Sequence, residues 1–122
     1  PLLGYGAGTA KDVILKERGR EKGSPNPHND YLKIVLEYGF LGLAAYLYLL
    51  ISTLVLLWKK YRQEERPNFK NLYLGIFAIT AAIFIMSIGD NMLRNTALQW
   101  SLWSLIGGAL SASAYMKNPK NG

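Results

Sequence analysis

The sequence has no cysteine and a single histidine, His28. Without cysteine there is neither a disulfide framework nor a thiolate metal site. It also has no charge inside its three longest apolar runs, Gly39 to Trp58, Leu72 to Ile88 and Ala97 to Met116. The lack of ionisable residues there argues against an ion or proton path along those runs, and so against a transporter or channel. The chain starts at Pro1 with no initiator methionine and shows no signal peptide. It therefore reads as the C-terminal piece of a longer multi-span protein, whose missing N-terminal transmembrane helices would be its first partners.

The formal net charge is +6 over 122 residues. Its placement argues against nucleic acid, because the excess lies in short segments beside the apolar runs, where basic residues set membrane topology. Each run is close to the ~20 residues that cross a bilayer core. A soluble three-helix bundle would show polar outer faces, and these runs have none. The fold expected is an all-α integral membrane protein with three transmembrane helices, at about 39–58, 72–88 and 97–116. They form a unit over 38–122, preceded by an extracytoplasmic segment, 1–37, holding one short helix.

Orientation follows from charge. The loop 59–71 carries Lys59, Lys60, Arg62, Arg66 and Lys70 against Glu64 and Glu65, and the tail 117–122 carries Lys117 and Lys120. Both are expected to be cytoplasmic, with 1–37 and 89–96 on the other side of a plasma membrane. Trp58, Tyr61, Tyr73, Trp100 and Tyr115 suit an interfacial aromatic belt. Gly39 with Gly42, Ser104 with Gly108 and Ala112, and Gly107 with Ser111 have the spacing that lets helix backbones approach closely.

In the polar segment, Gly4, Gly6 and Gly8 alternate within LLGYGAGT. This predicts a loop with unusual backbone angles, a plain turn or a set of amides open to an anion. Thr9 with Asp12 fits a capping box, so a short helix is expected from Ala10 to about Arg18. Lys16, Arg18, Arg20 and Lys22 make a basic stretch, either a solvated face or a holder of phosphate. Farther on, Asn26 before Pro27 suits a helix start, with Pro27, His28 and Asn29 in the first turn. That helix is expected to run unbroken through Glu37 into the first span.

On such a helix Leu32, Val35 and Gly39 fall within roughly 40° of His28, while Asp30, Lys33 and Glu37 lie opposite. The two carboxylates thus face away from the lone imidazole, so no metal is expected. A helix N-terminus disfavours a nearby cation and favours neutral imidazole, the form a general base requires. His28 would also lie near the membrane surface, at the level of a lipid-linked head group.

The run GYGAGT, a polar stretch and then PHNDYLKIVLEYGFLGL resemble the C-terminal region of the O-antigen ligase and O-antigen polymerase superfamily. The resembling residues are Gly4 and Gly6 upstream, then His28, Asn29, Tyr31, Leu32, Gly39 and Gly42. The resemblance implies a bacterial inner-membrane glycosyltransferase that works without metal or other cofactor. Its donor would be a glycan on an undecaprenyl-pyrophosphate carrier, and its acceptor a glycan, lipid or protein hydroxyl. His28 would be the catalytic general base. The resemblance also implies pyrophosphate-binding arginines, for which Arg18, Arg20 and Arg94 are the extracytoplasmic candidates without a matching motif. Arg94 shares a short loop with Asp90 and Asn91. A non-catalytic membrane subunit or assembly protein is the alternative, with the glycines serving packing and His28 incidental.

Overall fold

The computed structural model describes residues 2–18, 29–90, 92 and 95–117. Within them lie four helices: α1 (Ala10–Arg18), α2 (Asp30–Gln63), α3 (Pro67–Met86) and α4 (Thr96–Lys117). α1 falls where Thr9 and Asp12 place it. The Thr9 hydroxyl, however, donates to the Gly6 carbonyl at 2.6 Å, so it serves the preceding turn.

α2 begins later than expected. Asn29 is the N-cap, with extended backbone (φ −158°, ψ 113°), and its side-chain oxygen accepts from the Leu32 amide. Asn29 is thus outside the helix, not in its first turn, because an Asx side chain satisfies an otherwise unpaired N-terminal N–H. Asn26, Pro27 and His28 lie outside the described residues. The expectation of an unbroken helix also fails. Gly39 has φ 71° and ψ −170°, which divides α2 into a short upper helix and a long apolar one.

α2 and α3 each contain a stretch long and apolar enough to cross a membrane. Only 17% and 22% of those stretches are buried within the structure, whereas the core helix of a soluble protein would be mostly buried. α4 has 22 residues and also reaches ~33 Å, but its Gln, Ser and Gly content leaves it outside that group. By length and composition α2 and α3 are thus the candidate spans among the described residues, where three transmembrane helices were expected. The connection between α2 and α3 is also much shorter than the expected loop 59–71. α2 continues to Gln63, and α3 starts at Pro67, a residue suited to a first helical turn.

The packed core joins α2, α3 and α4 through Leu57, Tyr73, Ile76, Leu102, Ile106 and Ala109. Tyr73 belongs to it rather than to an aromatic belt. It is fully buried, and its hydroxyl donates to the Ala109 carbonyl at 3.3 Å. Trp58, Trp100 and Tyr115 remain exposed. The small residues Ser104, Gly107, Gly108, Ser111 and Ala112 lie on the exposed side of α4, turned from the described helices. The buried side is Leu102, Ile106, Ala109 and Ser113.

A clamp fixes the α2–α3 connection to α4. Arg66 donates from Nε to Glu64 Oε1 at 2.7 Å and from Nη2 to Oε2 at 2.9 Å. The same Nη2 reaches Ser113 Oγ at 2.9 Å and the Ser113 carbonyl at 3.2 Å. Ser113 Oγ donates to Glu64 Oε2, and the guanidinium lies over the Phe69 ring. Hydrogen bonds from Arg66 hold the Glu64 carboxyl down at about 2 against the opposing effect of burial, with Ser113 adding to the lowering. Because the folded value lies below the ordinary 4.5, the clamp's contribution is complete above that value and is lost as pH falls through about 2. Thermal unfolding of the detergent-solubilised protein should show a fall in Tm across this acid window, and Glu64→Gln should flatten it.

Candidate functional site

The N-terminal loop and the break in α2 form one backbone junction. The Tyr5 amide donates to the Leu36 carbonyl at 2.8 Å, and the Gly6 amide to the Glu37 carbonyl at 2.9 Å. Those two amides are therefore committed to α2 and are not open to an anion. Gly4 (φ 70°) and Gly39 (φ 71°) meet at the centre of the junction. A Cβ on Gly4 would collide with the Glu37 carbonyl and the Gly39 nitrogen. One on Gly39 would collide with the Leu2 carbonyl and the Gly4 nitrogen. Both contacts would be closer than 3.0 Å, which real Cβ atoms essentially never show. Gly39 also occupies a backbone region that is essentially restricted to glycine. Gly42 follows one turn later, against the Tyr38 side chain.

The first turn of α2 is held from a second direction, by the end of α3. The Asp30 amide donates to the Ser87 carbonyl at 3.0 Å, and the Tyr31 hydroxyl donates to the Phe84 carbonyl at 2.6 Å. A helix leaves its first N–H groups and last carbonyls without intrahelical partners, and here the two ends supply each other. The Tyr31 ring packs edge-on against Phe84 and at a tilt against Tyr46. Removing the hydroxyl in Tyr31→Phe should cost about 1 kcal/mol. Its loss should loosen the α2 start without unfolding the α2–α3–α4 core, measurable as faster amide exchange at Asp30 and Leu32.

The two faces of upper α2, on which the sequence placed Leu32 apart from Asp30 and Glu37, differ in burial. Asp30 is 1% exposed and Glu37 6%, whereas Leu32 is 49% exposed. The polar face turns inward because loop 2–6 and the end of α3 cover it. Of the apolar stripe, Leu32 is exposed, Val35 half-buried and Gly39 buried.

Of the residues singled out from sequence, Gly4, Gly6 and Gly39 are brought together at one end of the short upper helix, whereas Asn29 and Tyr31 stand at its other end. Leu32 is on its outer face. His28, Arg20 and Arg94 lie outside the described residues, as does the side chain of Arg18, whose backbone closes α1. Sequence reading missed the partners: the carbonyls of Leu2, Leu36, Glu37, Phe84 and Ser87. Backbone acceptors leave no side-chain signal, so only Gly4 and Gly39, the glycines facing them, were visible in advance.

The chain is similar to a protein described as "Putative polysaccharide ligase" from Rickettsia conorii, 32% identical over 116 residues. The match covers 88% of this chain and 25% of that protein, so the chain spans about a quarter of its relative's length. No family model and no solved structure is matched. Together with the apolar α2 and α3, this similarity points to a membrane protein related to that polysaccharide ligase.

Proposed function

We propose that the chain acts as the C-terminal part of a bacterial inner-membrane glycosyltransferase of the O-antigen ligase or polymerase type. The donor is a glycan on an undecaprenyl-pyrophosphate carrier, and the acceptor is a hydroxyl of a glycan, lipid or protein. His28 takes the proton from that hydroxyl as it attacks the anomeric carbon, and the carrier pyrophosphate leaves. The glycan-transfer side is extracytoplasmic, and the basic α2–α3 connection and C-terminal tail are cytoplasmic. α4 serves as a third span. Arg18, Arg20 and Arg94 are candidates for the pyrophosphate.

The observation that carries this reading is the Gly4–Gly39 junction. It joins the two separated parts of the resembling sequence pattern, and Asn29, one residue beyond His28 in the chain, caps the same helix. Similarity to the protein described as "Putative polysaccharide ligase" supports a polysaccharide-related membrane function. The junction also gives the glycines a packing role, as the non-catalytic subunit reading requires, so His28 is the residue that separates the two. In the full-length protein, His28→Ala should abolish glycan transfer while the protein remains in the membrane. Normal transfer by that variant would remove the catalytic assignment.

A further inference from the structure

A second polar feature lies at the opposite end of α2. The last turns of α2 and α4 border a hollow of about 280 Å³ lined by Lys60, Gln63, Glu64, Ser113, Ala114 and Lys117. This is just below the roughly 300–1,000 Å³ of small-molecule pockets, closer to a head group than to a whole lipid. Its one carboxylate is already committed. Glu64 Oε1 accepts from the Arg66 side chain and amide, and Oε2 accepts from Arg66 and Ser113. Glu64 therefore lines the hollow with a carboxylate whose charge is offset by Arg66.

The donors left to face the hollow are two ammonium groups and the Gln63 amide. Among the described residues, neither Lys60 nor Lys117 has an ion-pair partner. Lys70, by contrast, is placed over the Tyr61 ring. Lysines in a last helical turn offset the negative end of the helix dipole, and each of these does so. That role needs no shared hollow, yet here lysines from two different helices border the same one. Exposed Trp58, stacked at a tilt on Tyr61, lies beside this end of α2, as aromatic side chains do at a membrane interface.

We propose that this hollow is a phosphate-binding site at the interfacial end of α2 and α4. Lys60, Lys117 and Gln63 take the phosphate of an anionic phospholipid head group, or a free phosphate of the same chemistry. The Glu64–Arg66–Ser113 clamp keeps the two helix ends at a fixed separation. The site lies away from the Gly4–Gly39 junction and does not depend on the glycan-transfer reading.

The test uses the full-length protein in detergent micelles holding equal amounts of phosphatidylglycerol and phosphatidylcholine, with retained lipid read by native mass spectrometry. Wild type should retain phosphatidylglycerol preferentially. Lys60→Gln with Lys117→Gln should lower that retention about thirty-fold, five- to six-fold for each lysine near an anionic head group. Lys60→Arg with Lys117→Arg should keep it. The matched loss of charge in Lys59→Gln with Arg62→Gln, outside the hollow, should leave it nearly unchanged. Inorganic phosphate at millimolar concentration separates the sources: displacement of the lipid assigns the site to free phosphate, and persistence assigns it to the head group. Equal loss in both glutamine pairs, or no preference in wild type, overturns the proposal.

Discussion

Gly39→Ala should destabilise the upper half of the protein by about 3 kcal/mol or more and release the N-terminal loop from α2. Two costs act together. Alanine at φ 71° and ψ −170° enters a region that costs of order 1–3 kcal/mol for a residue with a side chain. Its Cβ would also strike the Leu2 carbonyl and the Gly4 nitrogen, which are backbone atoms and cannot rotate away. The junction must therefore open, and the Tyr5 and Gly6 amides lose the Leu36 and Glu37 carbonyls. Gly4→Ala should behave alike, because it meets the same contact from the other side. Gly8→Ala is the internal control. Gly8 also has positive φ (81°), but a Cβ there meets nothing within 4 Å, so only the conformational cost of about 1 kcal/mol applies. Amide exchange at Tyr5 and Gly6 should rise by orders of magnitude in the first two variants and little in the third. Similar protection in all three would show that the junction does not depend on the close approach.

His28→Ala should lower glycan transfer by at least a hundredfold, the lower end of the 10²–10⁴ that general acid–base catalysis supplies. The protein's level in the membrane and the protection of the Tyr5 and Gly6 amides should stay as in wild type. That pattern separates chemistry from architecture. Gly39→Ala would lose both transfer and protection, whereas His28→Ala would lose transfer alone. Asn29→Ala should fall between them. It removes the bond to the Leu32 amide and should cost about 1 kcal/mol of cap stability, with a partial loss of transfer through a less firmly held helix start. If His28→Ala and Asn29→Ala lose transfer in the same proportion as amide protection, the histidine belongs to the scaffold.

In the proposed reading His28 acts as a base beside the start of upper α2, and the two tethers on that helix would then bear on its function. Tyr31 and Asp30 fix the helix start to the end of α3, and Gly4 and Gly39 fix its lower end to the N-terminal loop. A short helix held at both ends keeps its orientation without the unbroken helix through Glu37 that the sequence had implied.

The difference between what could be read in advance and what could not has a physical basis in these same residues. Apolar run length was enough to place α2 and α3, because a helix long enough to cross a bilayer is a local property of composition. Thr9 and Asp12 were enough to place α1, for the same reason. By sequence alone Gly4 stood out for unusual backbone angles and Gly39 for helix packing and its place in the resembling pattern, but not as partners, because the groups they approach are backbone. Tertiary structure decided that Asp30 and Glu37 face inward, that Tyr73 belongs to the core, and that Arg66 closes Glu64 onto Ser113. Each of those outcomes depends on which other element arrives, and helical periodicity specifies which residues share a face, not what covers it. The absence of cysteine bounded the chemistry from the start. The single histidine drew attention to one short helix, and the fold added the two backbone junctions that hold that helix in place.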